Sequence, residues 1–150
     1  MIISTLFFDL DDTLYPPSSG LWLQIRDRIG RYMLERVGIP ADRVRILQRQ
    51  YFEQYGTTLR GLEANHNIDV ADFLAFVHDV PLRDYIQPDP QLRAVLQAIP
   101  AKKFIFTNAD TKHAERVLRV LELEDCFDGC VDVVAISPYC KPMPQTFSIA

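Results

Sequence analysis

Residues Ile2 to Leu10 form a nearly continuous apolar run, interrupted only by Ser4, Thr5 and Asp9. Such a run predicts a strand covered on both faces, as in a parallel sheet. It gives way to Asp11-Asp12-Thr13 and then to Tyr15-Pro16-Pro17-Ser18-Ser19-Gly20, whose proline, serine and glycine predict a loop. From Leu21 the period becomes helical. Leu21, Ile25, Arg28-Ile29, Tyr32-Met33 and Val37 share one face, and Gly38 supplies a C-terminal stop. A second helix is predicted after Pro40, carrying Val44, Leu47, Tyr51 and Phe52, and a third after Asp69, carrying Val70, Phe73, Leu74 and Val77. Between them, Gly56-Thr57-Thr58-Leu59-Arg60-Gly61 reads as a loop or helix junction.

Past Pro88 the pattern changes again. Pro90 to Ala98 predicts a short helix with Leu92, Val95 and Leu96 inward, and Lys103-Phe104-Ile105-Phe106 a buried strand ending at Thr107-Asn108. A helix from about Asp110 to Leu121 follows, with Asp110 as N-cap and Ala114, Val117, Leu118 and Leu121 on its apolar face. Asp132-Val133-Val134-Ala135-Ile136 predicts a third strand. Alternating strands and helices define an α/β fold with a parallel sheet. The expected organisation is a core of residues 1–15 and 87–150 with an inserted all-helical block at 16–86.

Composition narrows the function. Apolar residues make up 48% and charged residues 24% of 150, so the chain can bury a core. The net charge of −4 shows no footprint for nucleic acid. A negatively charged substrate would need a metal, a lysine or a helix N-terminus. No apolar stretch is long enough to cross a membrane, and the first residues lack a signal-peptide pattern. Cys126, Cys130 and Cys140 are odd in number and match no metal-binding spacing, which fits reduced thiols in a cytoplasmic protein. His66, His78 and His113 share no metal-ligand spacing either, so surface or capping roles are expected of them.

Candidate chemistry lies just past the predicted strands, where open α/β sheets bind ligands. Asp9 and Asp11 follow the first strand, Thr107 and Asn108 the second, and Lys141 the third. Two residues apart in extended chain, Asp9 and Asp11 point to the same side. Close carboxylates repel unless a hard cation such as Mg²⁺ sits between them. One can then attack phosphorus while the other shuttles a proton. A hydroxyl, backbone amides and an ammonium supply the positioning that phosphoryl transfer needs. An Asp-x-Asp after a strand is also often a solvated turn. A calcium loop is disfavoured, because Thr13 and Leu14 stand where that motif wants Asp or Asn and then Gly. Thr107 alone reads as a helix cap and Lys141 alone as a surface lysine; their order along the chain points to a site.

These residues resemble the haloacid dehalogenase-like (HAD) superfamily. Phe7-Phe8-Asp9-Leu10-Asp11-Asp12-Thr13-Leu14 fits its first motif, Phe104-Ile105-Phe106-Thr107-Asn108 its second, and Lys141-Pro142-Met143-Pro144 its third. The resemblance implies a Rossmann-like parallel core with a helical cap of the C1 type inserted after the first strand. It implies Asp9 as nucleophile, Asp11 as general acid/base, and Thr107 and Lys141 on the phosphoryl group, with Asn108 beside it. Mg²⁺ would take the Asp9 carboxylate and the Asp11 backbone carbonyl. Thr107-Asn108-Ala109-Asp110 with His113-Ala114-Glu115-Arg116-Val117-Leu118, and Tyr55-Gly56-Thr57-Thr58-Leu59-Arg60-Gly61, are similar to pyrimidine 5′-nucleotidase-type members. That likeness implies a small phosphorylated metabolite, a nucleoside monophosphate, as substrate. Trp22, Tyr55, Thr57, Thr58 and Arg60 are candidate substrate contacts, with cap core as the competing reading for the aromatics.

One feature departs from the family pattern. Its fourth motif, an acidic pair on a later strand that completes the metal site, is expected after Lys141, and the sequence reaches Ala150 inside a predicted helix. Asp125, Asp128 and Asp132 do not follow a fourth strand and are not assigned to it. The expectation is a fragment of a longer phosphatase, the other reading being a genuine short protein with a weakened metal site. The alternatives are a non-catalytic phosphate-binding or dimerising protein and a sugar phosphomutase. A dehalogenase has no need of the Asp11 acid.

Overall fold

A computed structural model of the chain describes residues 3–150. The predicted strand start at Ile2 lies outside the described residues. Three strands, β1 (Thr5–Phe8), β2 (Lys102–Phe106) and β3 (Gly129–Val131), form a parallel sheet in that order. Seven α-helices accompany them among the described residues: α1 (Leu21–Glu35), α2 (Ala41–Tyr55), α3 (Thr58–Asn65), α4 (Val70–His78), α5 (Pro90–Ala98), α6 (Thr111–Leu121) and α7 (Pro144–Ile149). The α/β class with a parallel sheet and a helical insertion is therefore as the residue pattern predicts.

The chain divides into two compact units. One takes in the chain up to Trp22 together with Pro81–Ala135 and Ala150; the other comprises Leu23–Val80 and Ile136–Ile149. The sheet unit is built by register. Phe7 stands opposite Phe104 and Phe8 opposite Ile105, while Phe106 stands opposite Val131. Leu10, Ile105, Leu96, Val117, Leu121, Leu123 and Val133 are buried in this unit. Asp110 caps α6, its carboxylate accepting from the His113 N–H at 3.3 Å. Asp89 caps α5 in the same way, through the N–H groups of Gln91 and Leu92.

Three expectations change. β1 is not covered on both faces. Among the described residues it pairs with β2 alone, and Phe7 is 46% exposed, with its ring 5.8 Å from that of Phe104. The third strand is Gly129–Val131 rather than 132–136, because the Asp132 carboxylate accepts from the N–H groups of Val134 and Ala135 and turns the chain there. Val95, expected inward, is 61% exposed, and Phe52 on α2 is 64% exposed, the apolar stripes of α5 and α2 being narrower than the periodicity suggests.

Residues 56–61 hold the helix junction that was one of the two readings, α2 ending at Tyr55 and α3 beginning at Thr58. Thr58–Asn65 is a helix, capped by the Thr57 hydroxyl, which accepts from Arg60 N–H at 3.2 Å. Gly61 lies inside it because a Cβ there would stand 2.3 Å from Cβ and Cγ of Tyr51. The glycine admits a close helix approach rather than a turn. The helical unit is otherwise held by α1 and α4. The Arg28 guanidinium donates to Phe76 O at 2.6 Å, and the Tyr32 ring packs edge-on against Phe73 at 5.1 Å.

Candidate active site

The parallel register decides where the chemistry sits. Asp9 follows Phe8, Thr107 follows Phe106, and Asp132 follows Val131, so all three leave the same end of the sheet. The Thr107 N–H still reaches back to Val131 O at 3.0 Å. Thr107 is 1% exposed, and its Oγ1 accepts from the Ala109 N–H at 3.0 Å. With that lone pair engaged, the hydroxyl proton is available for donation to an oxyanion. Asn108 sits between them in the same tight turn.

The loop after β1 is a compact hook. Leu10 O accepts from the N–H groups of Thr13 and Leu14 at 3.3 and 3.0 Å, and Asp12 takes a left-handed φ of 57°. Aspartate tolerates that conformation better than most residues. The Thr13 hydroxyl donates to Asp9 Oδ2 at 3.2 Å. Asp11 Oδ1 accepts from the Tyr15 hydroxyl at 2.5 Å and pairs with His113 Nε2 at 3.0 Å. Burial, and then the charge of Asp11, push the Tyr15 phenol far above its ordinary range, so it remains a donor. Burial, followed by Asp11 and Asp9, raises the Asp12 carboxyl above its usual value.

Lys141 falls in the other unit, in the turn where Met143 N–H donates to Cys140 O. The sheet unit by itself thus brings together Asp9, Asp11, Thr107 and Asn108. Around the lysine, the buried Arg60 guanidinium donates to Tyr139 O at 3.0 Å and to Glu63 at 2.6 Å. The Cys140 thiol donates to Tyr55 O at 3.2 Å. Thr57 and Arg60, candidate substrate contacts, thus have structural duties as helix cap and loop anchor.

Three participants were not legible as such. His113, expected at the surface or in a cap, is 1% exposed and faces Asp11. Its signal was a polar ring on the apolar stripe of Ala114, Val117, Leu118 and Leu121. Tyr15 read as a loop residue. Asp132 receives the Thr111 N–H and hydroxyl at 2.9 and 2.7 Å. His78 is also buried, and His66 shares a 2.9 Å hydrogen bond with the Tyr51 hydroxyl.

Among the described residues no group of three or more His, Cys, Asp or Glu is placed to hold a metal ion. The crowding of Asp9, Asp11 and Asp12, and a buried Asp12 Oδ1 with no hydrogen-bond partner among the described residues, nevertheless suit a hard cation. Mg²⁺ takes one or two carboxylates and completes its shell with water and substrate oxygens, so this oxygen-only set fits it.

The family model of haloacid dehalogenase-like hydrolases matches residues 3–150, and the chain belongs to that family. Among curated proteins it is similar to Phosphate metabolism protein 8 of Saccharomyces cerevisiae, 33% identical over an alignment of 158 residues. The match takes in 96% of this chain and 49% of that protein, so the chain spans about half of that relative's length. The fold is like that of YfnB, a HAD-hydrolase candidate from Bacillus subtilis solved bound to magnesium. The TM-score is 0.54 at 20% identity, over 99% of this chain and 71% of that one. It is also like L-2-haloacid dehalogenase from Xanthobacter autotrophicus with chloropropionic acid covalently bound. There the TM-score is 0.54 at 18% identity, over 99% of this chain and 63% of that one.

Proposed function

We propose that the chain carries the catalytic residues of a Mg²⁺-dependent phosphomonoesterase acting through an aspartyl-phosphate. The observation that carries the reading is the shared strand end: Asp9 and Asp11 after β1, beside the buried Thr107 hydroxyl after β2. An Asp9 oxygen attacks phosphorus, the phosphorus–oxygen bond to the alcohol breaks, and the Asp11 carboxyl gives its proton to the departing oxygen. Water then attacks the aspartyl-phosphate. Asp11 takes the water's proton, which restores both groups and releases phosphate. Thr107 and Asn108 hold phosphoryl oxygens, and Lys141 is the residue that the family resemblance offers for a positive charge. Bound at Asp9 and the Asp11 carbonyl, Mg²⁺ would neutralise phosphate charge.

The substrate class proposed is a nucleoside 5′-monophosphate. The support is the likeness of 107–118 and 55–61 to nucleotidase-type sequences, together with a relative named for phosphate metabolism. The test is phosphate release from nucleoside monophosphates and from sugar phosphates. Release requires Mg²⁺, stops with a chelator, and falls about 10³-fold or more in Asp9→Asn, as loss of a nucleophile demands. Undiminished turnover by Asp9→Asn rejects the mechanism. Interconversion of sugar phosphates without phosphate release would favour a mutase.

A further inference from the structure

A buried imidazole is costly unless it bonds to something, and an apolar side chain would fill the same place in α6 more cheaply. The His113 side chain is 0% exposed, yet its Nε2 lies 3.0 Å from Asp11 Oδ1, across 102 residues of sequence. The Tyr15 hydroxyl reaches the same oxygen at 2.5 Å. Oδ1 accepts these bonds whether Asp11 is ionised or carries its proton on Oδ2, so Nε2 carries its proton toward Asp11. The ring's origin is fixed as well. The backbone N–H of His113 donates to the Asp110 cap, and the neighbouring Ala114 and Val117 are buried. Two donors from separate elements therefore converge on one oxygen of the group that the phosphatase reading makes the acid.

We propose that His113 is a positioning residue. With Tyr15 it clamps Asp11 Oδ1, and so fixes the orientation in which the Asp11 carboxyl delivers and recovers its proton. The inference rests on the hydrolase reading for its consequence, but the clamp itself is a property of the fold. An aspartate has two side-chain torsions. Released from the clamp it samples rotamers from which the departing oxygen is out of reach, and a misplacement near 1 Å costs about 10²-fold in rate. Such a loss falls on alcohols that leave only when protonated. A phenolate stabilised by a nitro group leaves without that proton.

The experiment compares wild type, His113→Ala, His113→Gln and Tyr15→Phe with an alkyl phosphate and with p-nitrophenyl phosphate, in Mg²⁺, with thermal unfolding alongside. The expected result for His113→Ala is a fall of about 10²-fold in the single-turnover rate of alcohol release from the alkyl ester, the step in which Asp11 is the acid, with a much smaller loss in the single-turnover rate of nitrophenolate release. His113→Gln, which keeps an N–H at similar reach, recovers at least part of the alkyl-ester rate. Equal losses on both esters in a folded variant, or no loss, overturn the proposal.

The clamp is read separately by ¹⁵N-edited NMR of the His113 ring. An exchange-protected Nε2–H signal in wild type that disappears in Asp11→Ala supports it. Absence of that signal in wild type overturns it, whatever the kinetics. Failure of wild type to cleave either ester defeats the hydrolase reading, while a protected Nε2–H signal would still uphold the clamp.

Discussion

Gly61→Ala separates a packing role for the 55–61 segment from a substrate-binding one. The added methyl would stand 2.3 Å from Tyr51 Cβ and Cγ and 2.8 Å from Cδ1. Carbon atoms rest at about 3.5–4.0 Å, so α2 and α3 must separate by more than an ångström. A rotamer change cannot relieve the contact, because Tyr51 Cβ belongs to the stem of the side chain. Overpacking of this severity falls at the upper end of a range of about 1–3 kcal/mol. Loss of the 2.9 Å Tyr51–His66 hydrogen bond adds about 1 kcal/mol. Against this, alanine is favoured over glycine inside a helix by about 1 kcal/mol. The net expectation is a loss of about 2–3 kcal/mol, or roughly 4–12 °C in Tm for a chain of this size.

Gly30→Ala in α1 is the internal control. There the new methyl meets Val44 Cγ1 at 3.4 Å and the flexible Gln48 amide at 3.6 Å, ordinary contacts. The same chemical change should therefore stabilise by about 0.5–1 kcal/mol. Urea unfolding followed by circular dichroism reads both. Changes of the same sign in the two variants would refute the reasoning. A Gly61→Ala protein of unchanged stability but raised KM would assign the segment to substrate recognition instead.

Two further outcomes follow from local chemistry. Asp132→Ala removes the acceptor for Thr111 N–H, the Thr111 hydroxyl, Val134 N–H and Ala135 N–H, and with partial replacement by water should cost about 3 kcal/mol in thermal unfolding; a loss below about 0.5 kcal/mol would contradict it. Burial pushes the Cys130 thiol up to about 11. Its thiolate at pH 8 is thus about one part in a thousand, and its alkylation by iodoacetamide should accelerate about tenfold per pH unit up to that value. Labelling at pH 8 as fast as a free cysteine would refute the burial argument.

The helices that flank the second strand were legible in the sequence. Pro90–Ala98 and Thr111–Leu121 begin after Asp89 and Asp110, whose side chains bond the first-turn N–H groups, the Asp110 cap as expected. The positions of Asp9, Asp11 and Thr107 just past the strands were legible too, because strand ends in a parallel sheet are marked by where apolar runs stop. What escaped is tertiary. Nothing local in Asp132 says that its carboxylate will bend the chain rather than let β3 continue through Val133 and Val134. Glycine reads as a breaker, and only the ring of Tyr51 explains why Gly61 is helical. His113 looked like a surface residue because its partner lies 102 positions away.

Asp132 also bears on how such a protein could be re-engineered. Its carboxylate is bonded at one side to the first residue of α6 and at the other to the turn after β3, and Val133 N–H bonds Ala109 O at 3.0 Å. The loops that follow β2 and β3 are therefore one joint and not two modules. Grafting either from a relative would strip the other of its anchor. Recombination between family members should succeed only when both loops come from the same parent, which makes this pair, rather than the single loop, the unit by which the sheet end can be diversified.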